Sequence, residues 1–266
     1  MPADALDAIR DWFAPLDPVR QAFIATVGTW MLTLAGAATV LFVRNAPRRL
    51  LDGMLGFAGG VMTAAAAWSL LTPALELGGV GPATIGFALG AAFIYALDQV
   101  LPHLHPPYAG RAEAEGVDVA WRRTVLLVLA ITMHNIPEGL AVGVAYGAGD
   151  WVAATTLAVG IALQNVPEGL AVALPLRREG IGRWRALWYG QLSAVVEPVA
   201  GVAGAALVVT VGALLPYGLA FAAGAMLYVV VEELIPEAER GGNTDIATIG
   251  FMIGFAVMMA LDNAVG

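Results

Sequence analysis

MHNIPEGLAVGVAYG, from Met133, and LQNVPEGLAVALPL, from Leu163, set the same polar residues into the same apolar frame 30 residues apart. On a helix, residues four apart share a face. His134 therefore lies with Glu138, and Gln164 with Glu168. One imidazole, two carboxylates and an amide converging from two helices make a four-ligand set for a borderline divalent ion such as Zn²⁺. Met62 could add a thioether, although a lone Met is more often packing. Asn135 and Asn165, one residue further on, form a second oxygen-rich set with Glu197 of QLSAVVEPVAG, bridged by Glu138 and Glu168. Asp98, His103 and His105 of LPHLHPP, with Glu232 and Glu233, gather toward one end. There they would receive an ion leaving the site, or serve as ordinary span-end residues.

The frame around these residues is a membrane. Hydrophobic residues make up 59% of the 266 and charged ones 13%, too few to cover a soluble surface. The mean hydropathy of +0.77 agrees. At roughly 20 residues per spanning helix, the length allows about eight spans with short loops. Nucleic acid is not an expected partner of a chain with net charge −8. With no cysteine, disulfides and thiolate sites are excluded. The acidic start, with Asp4, Asp7, Asp11 and Asp17, is no basic signal-peptide region; residues 1–20 read as an amphipathic segment broken near Pro15 and Pro18.

Polar and Gly/Pro clusters divide the remainder into spans near 21–43, 50–75, 83–101, 124–147, 152–176, 186–208, 216–236 and 246–264. Every basic residue is Arg, and the loops after the first, third, fifth and seventh spans carry most of them. The positive-inside rule then leaves both termini on the non-cytoplasmic side. The two PEG motifs fall near mid-span, where a charged side chain costs at least a few kcal/mol. No Arg lies mid-span to pair with the glutamates, so they either stay protonated or hold a cation. Pro137 and Pro167 free the carbonyls of Met133 and Leu163 and should bend their helices. One such motif reads equally well as a kink with a packed, protonated Glu. Two copies on antiparallel neighbours favour function.

A second echo sets the architecture. ATIGFALGAAFIYALDQV from Ala83 matches ATIGFMIGFAVMMALDNA from Ala247, FAGGVM from Phe57 matches FAAGAM from Phe221, and PALELGG from Pro73 matches PEAERGG from Pro236. Spans two and three thus resemble spans seven and eight in the opposite orientation. The expected fold is an all-α integral membrane protein, one domain over 1–266, with eight transmembrane helices arranged 3+2+3. Repeat spans 50–101 and 216–264 flank central spans 124–176, an arrangement typical of transporters.

HNIPEG and QNVPEG, with GFAGGVM, VVEP and EELIPEAER, resemble the signature of the ZIP (Zrt/Irt-like) divalent metal transporters, and most closely their bacterial GufA-like branch. The resemblance implies Zn²⁺ uptake into the cytoplasm across a bacterial plasma (inner) membrane, with no enzymatic activity. It implies a binuclear centre in which His134, Glu138, Gln164 and Glu168, beside Met62, hold one metal, and Asn135, Asn165, Glu197 and the shared glutamates hold another. It also implies an elevator-like motion of spans one, four, five and six against the rest, and leaves room for a homodimer. Many members have His at the position of Gln164, and some have Asp at that of Asn165. Losing the imidazole softens the preference for Zn²⁺ and admits Cd²⁺, Fe²⁺ or Mn²⁺; a neutral Asn165 weakens the second site. The rival readings are an intramembrane zinc hydrolase, which lacks an HExxH motif here, and a channel built on the same site.

Overall fold

A computed structural model describes residues 10–101, 123–178 and 180–265, and among these no strand occurs. The long helices, in chain order, are α1 (Pro18–Leu41), α2 (Arg48–Gly78), α3 (Val80–Val100), α4 (Arg123–Gly147), α5 (Trp151–Arg178), α6 (Arg183–Thr210), α7 (Gly212–Glu239) and α8 (Thr244–Ala264). Among the described residues, seven of them, all but α4, are long and apolar enough to cross a membrane. α4 is 25 residues long and carries HNIPEG. At 1.5 Å per residue, the 28 residues of α5, α6 or α7 reach about 42 Å. That exceeds a hydrocarbon core of about 30 Å, so these helices protrude or tilt.

Local chemistry explains the ends. Asp17 caps α1, accepting from the Arg20 amide at 3.1 Å, with Pro18 at the first helical position. Pro18 therefore opens a span rather than breaking one. Asp150 caps α5 through the amides of Val152 and Ala153, both at 3.1 Å. Gly79 (φ 75°) and Gly149 (φ 89°) take the left-handed backbone that separates α2 from α3 and α4 from α5. Before α1, Phe13 is buried edge-on against Tyr146 and Trp151.

Two departures from regular helix were not expected from sequence. α2 widens into a π-helix at Ala65–Leu71, and α7 does so at Val230–Leu234. The two segments follow the matched GGVM and AGAM stretches at equivalent places. Conversely, Pro137 and Pro167 sit inside unbroken α-helix. The interruption falls instead in α6, where a 3₁₀ turn at Ser193–Val195 precedes Glu197 and Pro198.

The packing repeats itself. The most extensive contacts join α2 to α8, α3 to α7, α1 to α5 and α4 to α6. Gly60 lies against the Phe251 carbonyl in the α2–α8 pair, and Gly224 against the Phe87 carbonyl in the α7–α3 pair. Gly254 meets the Phe57 carbonyl as Gly90 meets that of Phe221, and Gly250 meets Gly53 as Gly86 meets Tyr217. Each contact in one pair is the sequence-matched contact of the other. Small residues let the backbones approach this closely, which is how helices gain packing energy in lipid. At the Arg-rich end, Arg48 bonds buried Asp52 and reaches Glu237 at 3.0 Å, while Asn243 donates to Asp52 at 2.8 Å. That network ties the start of α2 to the end of α7.

Candidate metal centre

The PEG helices α4 and α5 are each held by a close crossing at the motif itself. Gly139, which follows Glu138, leaves room for the Glu197 backbone of α6, and Gly169, which follows Glu168, leaves room for the Thr33 backbone of α1. A Cβ at either glycine would overlap a carbonyl, so the motif glycine sets how deeply its glutamate sits. His134, Asn135, Glu138, Gln164, Asn165, Glu168, Glu197 and Met62 are all buried, none more than 5% exposed. Polar side chains this deep must satisfy one another or a ligand.

They satisfy one another only in part. Gln164 Nε2 donates to Glu138 Oε1 at 2.8 Å, linking the two motifs across α4 and α5. Asn135 Nδ2 donates to the Ile131 carbonyl at 2.8 Å. Asn165 Nδ2 donates to Glu197 Oε1 and Oε2 at 3.0 and 3.2 Å and to the Thr29 carbonyl at 3.2 Å. His134 Nε2 contacts Glu233 Oε2 of α7. What remains is one-sided. Glu138 Oε2, Gln164 Oε1, both oxygens of Glu168, Asn135 Oδ1 and Asn165 Oδ1 are buried without a hydrogen-bond partner. All six are acceptors. Backbone carbonyls cannot donate, so the contacts to Ile131 and Thr29 fix the orientation of both asparagine amides and leave their oxygens facing away. Glu138 also lies within electrostatic range of Glu168 and Glu197.

Among the described residues, no three His, Asp or Glu groups stand already gathered as a metal cage. The reason is visible in the hydrogen bonds: His134 is turned onto Glu233, and half of the unpartnered acceptors are amide oxygens. A cation entering here would meet carboxylate and amide oxygen first and imidazole after a rotation of His134.

Glu233, read from sequence within the group at one end, stands against the first ligand; its place in the π-helical turn of α7 brings it inward. Asp98 is buried on α3, with Glu232, Tyr228 and Tyr95 nearby across α3 and α7. His103 and His105 lie outside the described residues. The expectation that no mid-span partner exists for a charged group holds for Arg but missed the His134–Glu233 contact. It also missed Thr29, whose hydroxyl donates to Glu197 Oε2. One signal could have found it: Thr26, Thr29 and Thr33 recur at helical spacing on α1, and all three are buried.

The chain resembles known proteins along nearly its whole length. The family model described as ZIP Zinc transporter matches residues 110–262. A zinc transporter ZIP11 from Bos taurus is 44% identical, over 94% of this chain and 98% of that protein. Zinc transporter GufA from Myxococcus xanthus is 38% identical over 91% and 98%, and zinc transporter ZIPB from Bordetella bronchiseptica is 40% identical over 93% and 82%.

Proposed function

This chain belongs to the ZIP family of zinc transporters, which makes it a multi-pass membrane transporter and not an enzyme, and from that premise we propose that it carries Zn²⁺ into the cytoplasm through the buried cluster between α4 and α5. The observation that carries this reading is the set of six buried acceptors without a donor. Uncompensated carboxylate and amide oxygens at membrane depth are costly, and a divalent cation compensates them. His134, Glu138, Gln164 and Glu168 bind the ion, with Met62 buried beside them; Asn135 and Asn165 extend the acceptors toward Glu197. Glu233 offers the first group on the way out, followed by Asp98 and Glu232 and by His103 and His105.

The architecture proposed is eight spans, with α4 among them, in a 3+2+3 inverted arrangement. The matched glycine crossings and the paired π-helical turns support it. So does the division of close contacts into α1, α4, α5 and α6 on one side and α2, α3, α7 and α8 on the other. An elevator-like carrier would move the first group against the second. The Arg-bearing loops favour non-cytoplasmic termini in a plasma membrane.

Purified protein in vesicles with a trapped zinc indicator tests the reading: saturable entry supports a carrier, whereas entry that rises linearly with zinc would contradict it. Metal ligands bind only when deprotonated, so protons compete with zinc for His134 and the glutamates. Uptake should fall as the outside is acidified from about pH 7.5 to 5.5, a window spanning the ordinary His value of about 6.5. A flat profile would contradict ligands open to that side. Gln164→His restores an imidazole and should raise the zinc-to-manganese uptake ratio by about tenfold, following the preference of imidazole for Zn²⁺ and of amide oxygen for harder ions. Competition assays with the two metals read this directly.

A further inference from the structure

We infer that Thr29, Glu197 and Asn165 form a hydrogen-bonded clasp that takes the place of a second metal ion, so that this chain binds one divalent ion at a time and Thr29 acts as a positioning residue for it. The inference rests on the proposed site between α4 and α5.

Asn165 is the joint. Its amide nitrogen faces the Thr29 carbonyl and both oxygens of Glu197. Every one of these is an acceptor toward it, so the –NH₂ group must point there and cannot exchange places with Oδ1. The Thr29 hydroxyl has two acceptors in reach, the Thr26 carbonyl at 2.9 Å and Glu197 Oε2. A charged acceptor outcompetes a neutral carbonyl for a single proton, so Glu197 receives it. Both Glu197 oxygens are therefore engaged by protein donors from α1 and α5, whereas both Glu168 oxygens have none. One carboxylate is closed and the other is open.

Two consequences follow. The clasp pins the Asn165 side chain, and its Oδ1, buried and unpartnered, is left to face the open acceptors. Thr29 thus orients a ligand oxygen without touching the ion. Charge balance then favours a single ion. With Glu197 committed to the clasp, Glu138 and Glu168 supply two negative charges, which neutralise one divalent cation; a second would be buried with its charge uncompensated. The sequence matches across the repeat agree: the position on α1 that packs against Gly169 as Glu197 packs against Gly139 is Thr33, so only one of the two related places carries an acid.

The test is metal content of the full-length purified chain in detergent, loaded with Cd²⁺ or Zn²⁺ and freed of unbound ion. Wild type should hold one ion per chain. Asn165→Asp replaces the donor with an acceptor, breaks the clasp and adds a charge, so it should hold two. Two ions on wild type, or one on folded Asn165→Asp, would overturn the clasp. No ion on wild type would instead sink the site reading beneath it, and that failure is recognisable because zinc entry into vesicles would then be indifferent to Glu138. Should Asn165→Asp not fold, Thr29 decides. Thr29→Val removes the hydroxyl at constant shape and should weaken zinc affinity about tenfold, the lower end for loss of a group that orients a ligand. Thr29→Ser should restore it to within about twofold of wild type. Equal affinity for Thr29→Val and wild type would overturn the positioning role, and so would a loss that serine does not rescue.

Discussion

Glu138→Ala and Glu168→Ala should each cut zinc uptake into vesicles by more than about 100-fold, in protein that still folds and inserts. Losing a group that merely orients a ligand costs 10–100-fold in metal affinity, and these two carboxylates are proposed as ligands themselves. Either substitution also removes half of the negative charge available to a divalent ion at the centre. The fold has little to lose. Glu138 Oε2 and both Glu168 oxygens have no donor, so their removal relieves unsatisfied acceptors rather than breaking bonds; only the Gln164–Glu138 link is lost. If the PEG motifs were structural kinks the pattern would reverse, with melting temperature falling and uptake nearly preserved. Uptake within a few-fold of wild type in both variants would exclude them as ligands.

The second large effect concerns the scaffold. Gly60→Val and Gly224→Val should each destabilise the protein by about 3 kcal/mol, the upper end for overpacking a filled contact, and by similar amounts. Each side chain would meet a backbone carbonyl, of Phe251 in one pair and Phe87 in the other. A carbonyl in a helix cannot rotate away as a flexible side chain can. Gly28→Ala is the control: no atom lies within 4 Å of its would-be Cβ, so it should leave the melting temperature unchanged or slightly raised. Thermal unfolding in detergent separates the three. A marked loss at Gly60 with none at Gly224 would argue against two related helix pairs and against the inverted arrangement they support.

The helices and the candidate ligands were legible because each rests on a local signal. Long apolar runs mark spans whatever their neighbours do, and α1–α8 begin and end within a few residues of the boundaries read from Gly, Pro and Arg. The PEG residues stood out because glutamate and histidine at membrane depth are costly enough to need a reason. What escaped the sequence depends on tertiary partners. The π-helical turns in α2 and α7 follow no motif of their own; they are set by what each helix packs against. Without that turn Glu233 reads as one more acid near a span end, and its contact with His134 is invisible. Pro137 and Pro167 looked like breaks, yet the helix runs through both, and the interruption falls in α6 at Ser193–Val195. Thr29 was hidden for a different reason. Threonine in a membrane helix ordinarily bonds its own backbone, as Thr26 does to the Ala22 carbonyl at 2.7 Å. Only the position of Glu197 on a distant helix gives Thr29 another role.

The most direct test of the central claim is zinc-edge X-ray absorption on the purified, zinc-loaded chain, comparing wild type with the Glu138→Ala, Glu168→Ala double variant. Wild type should show zinc in a shell of oxygen and nitrogen at about 2.0–2.2 Å, and the double variant should retain no such bound zinc. An identical zinc shell in both would place the ion elsewhere in the protein and contradict a metal centre between the two PEG helices.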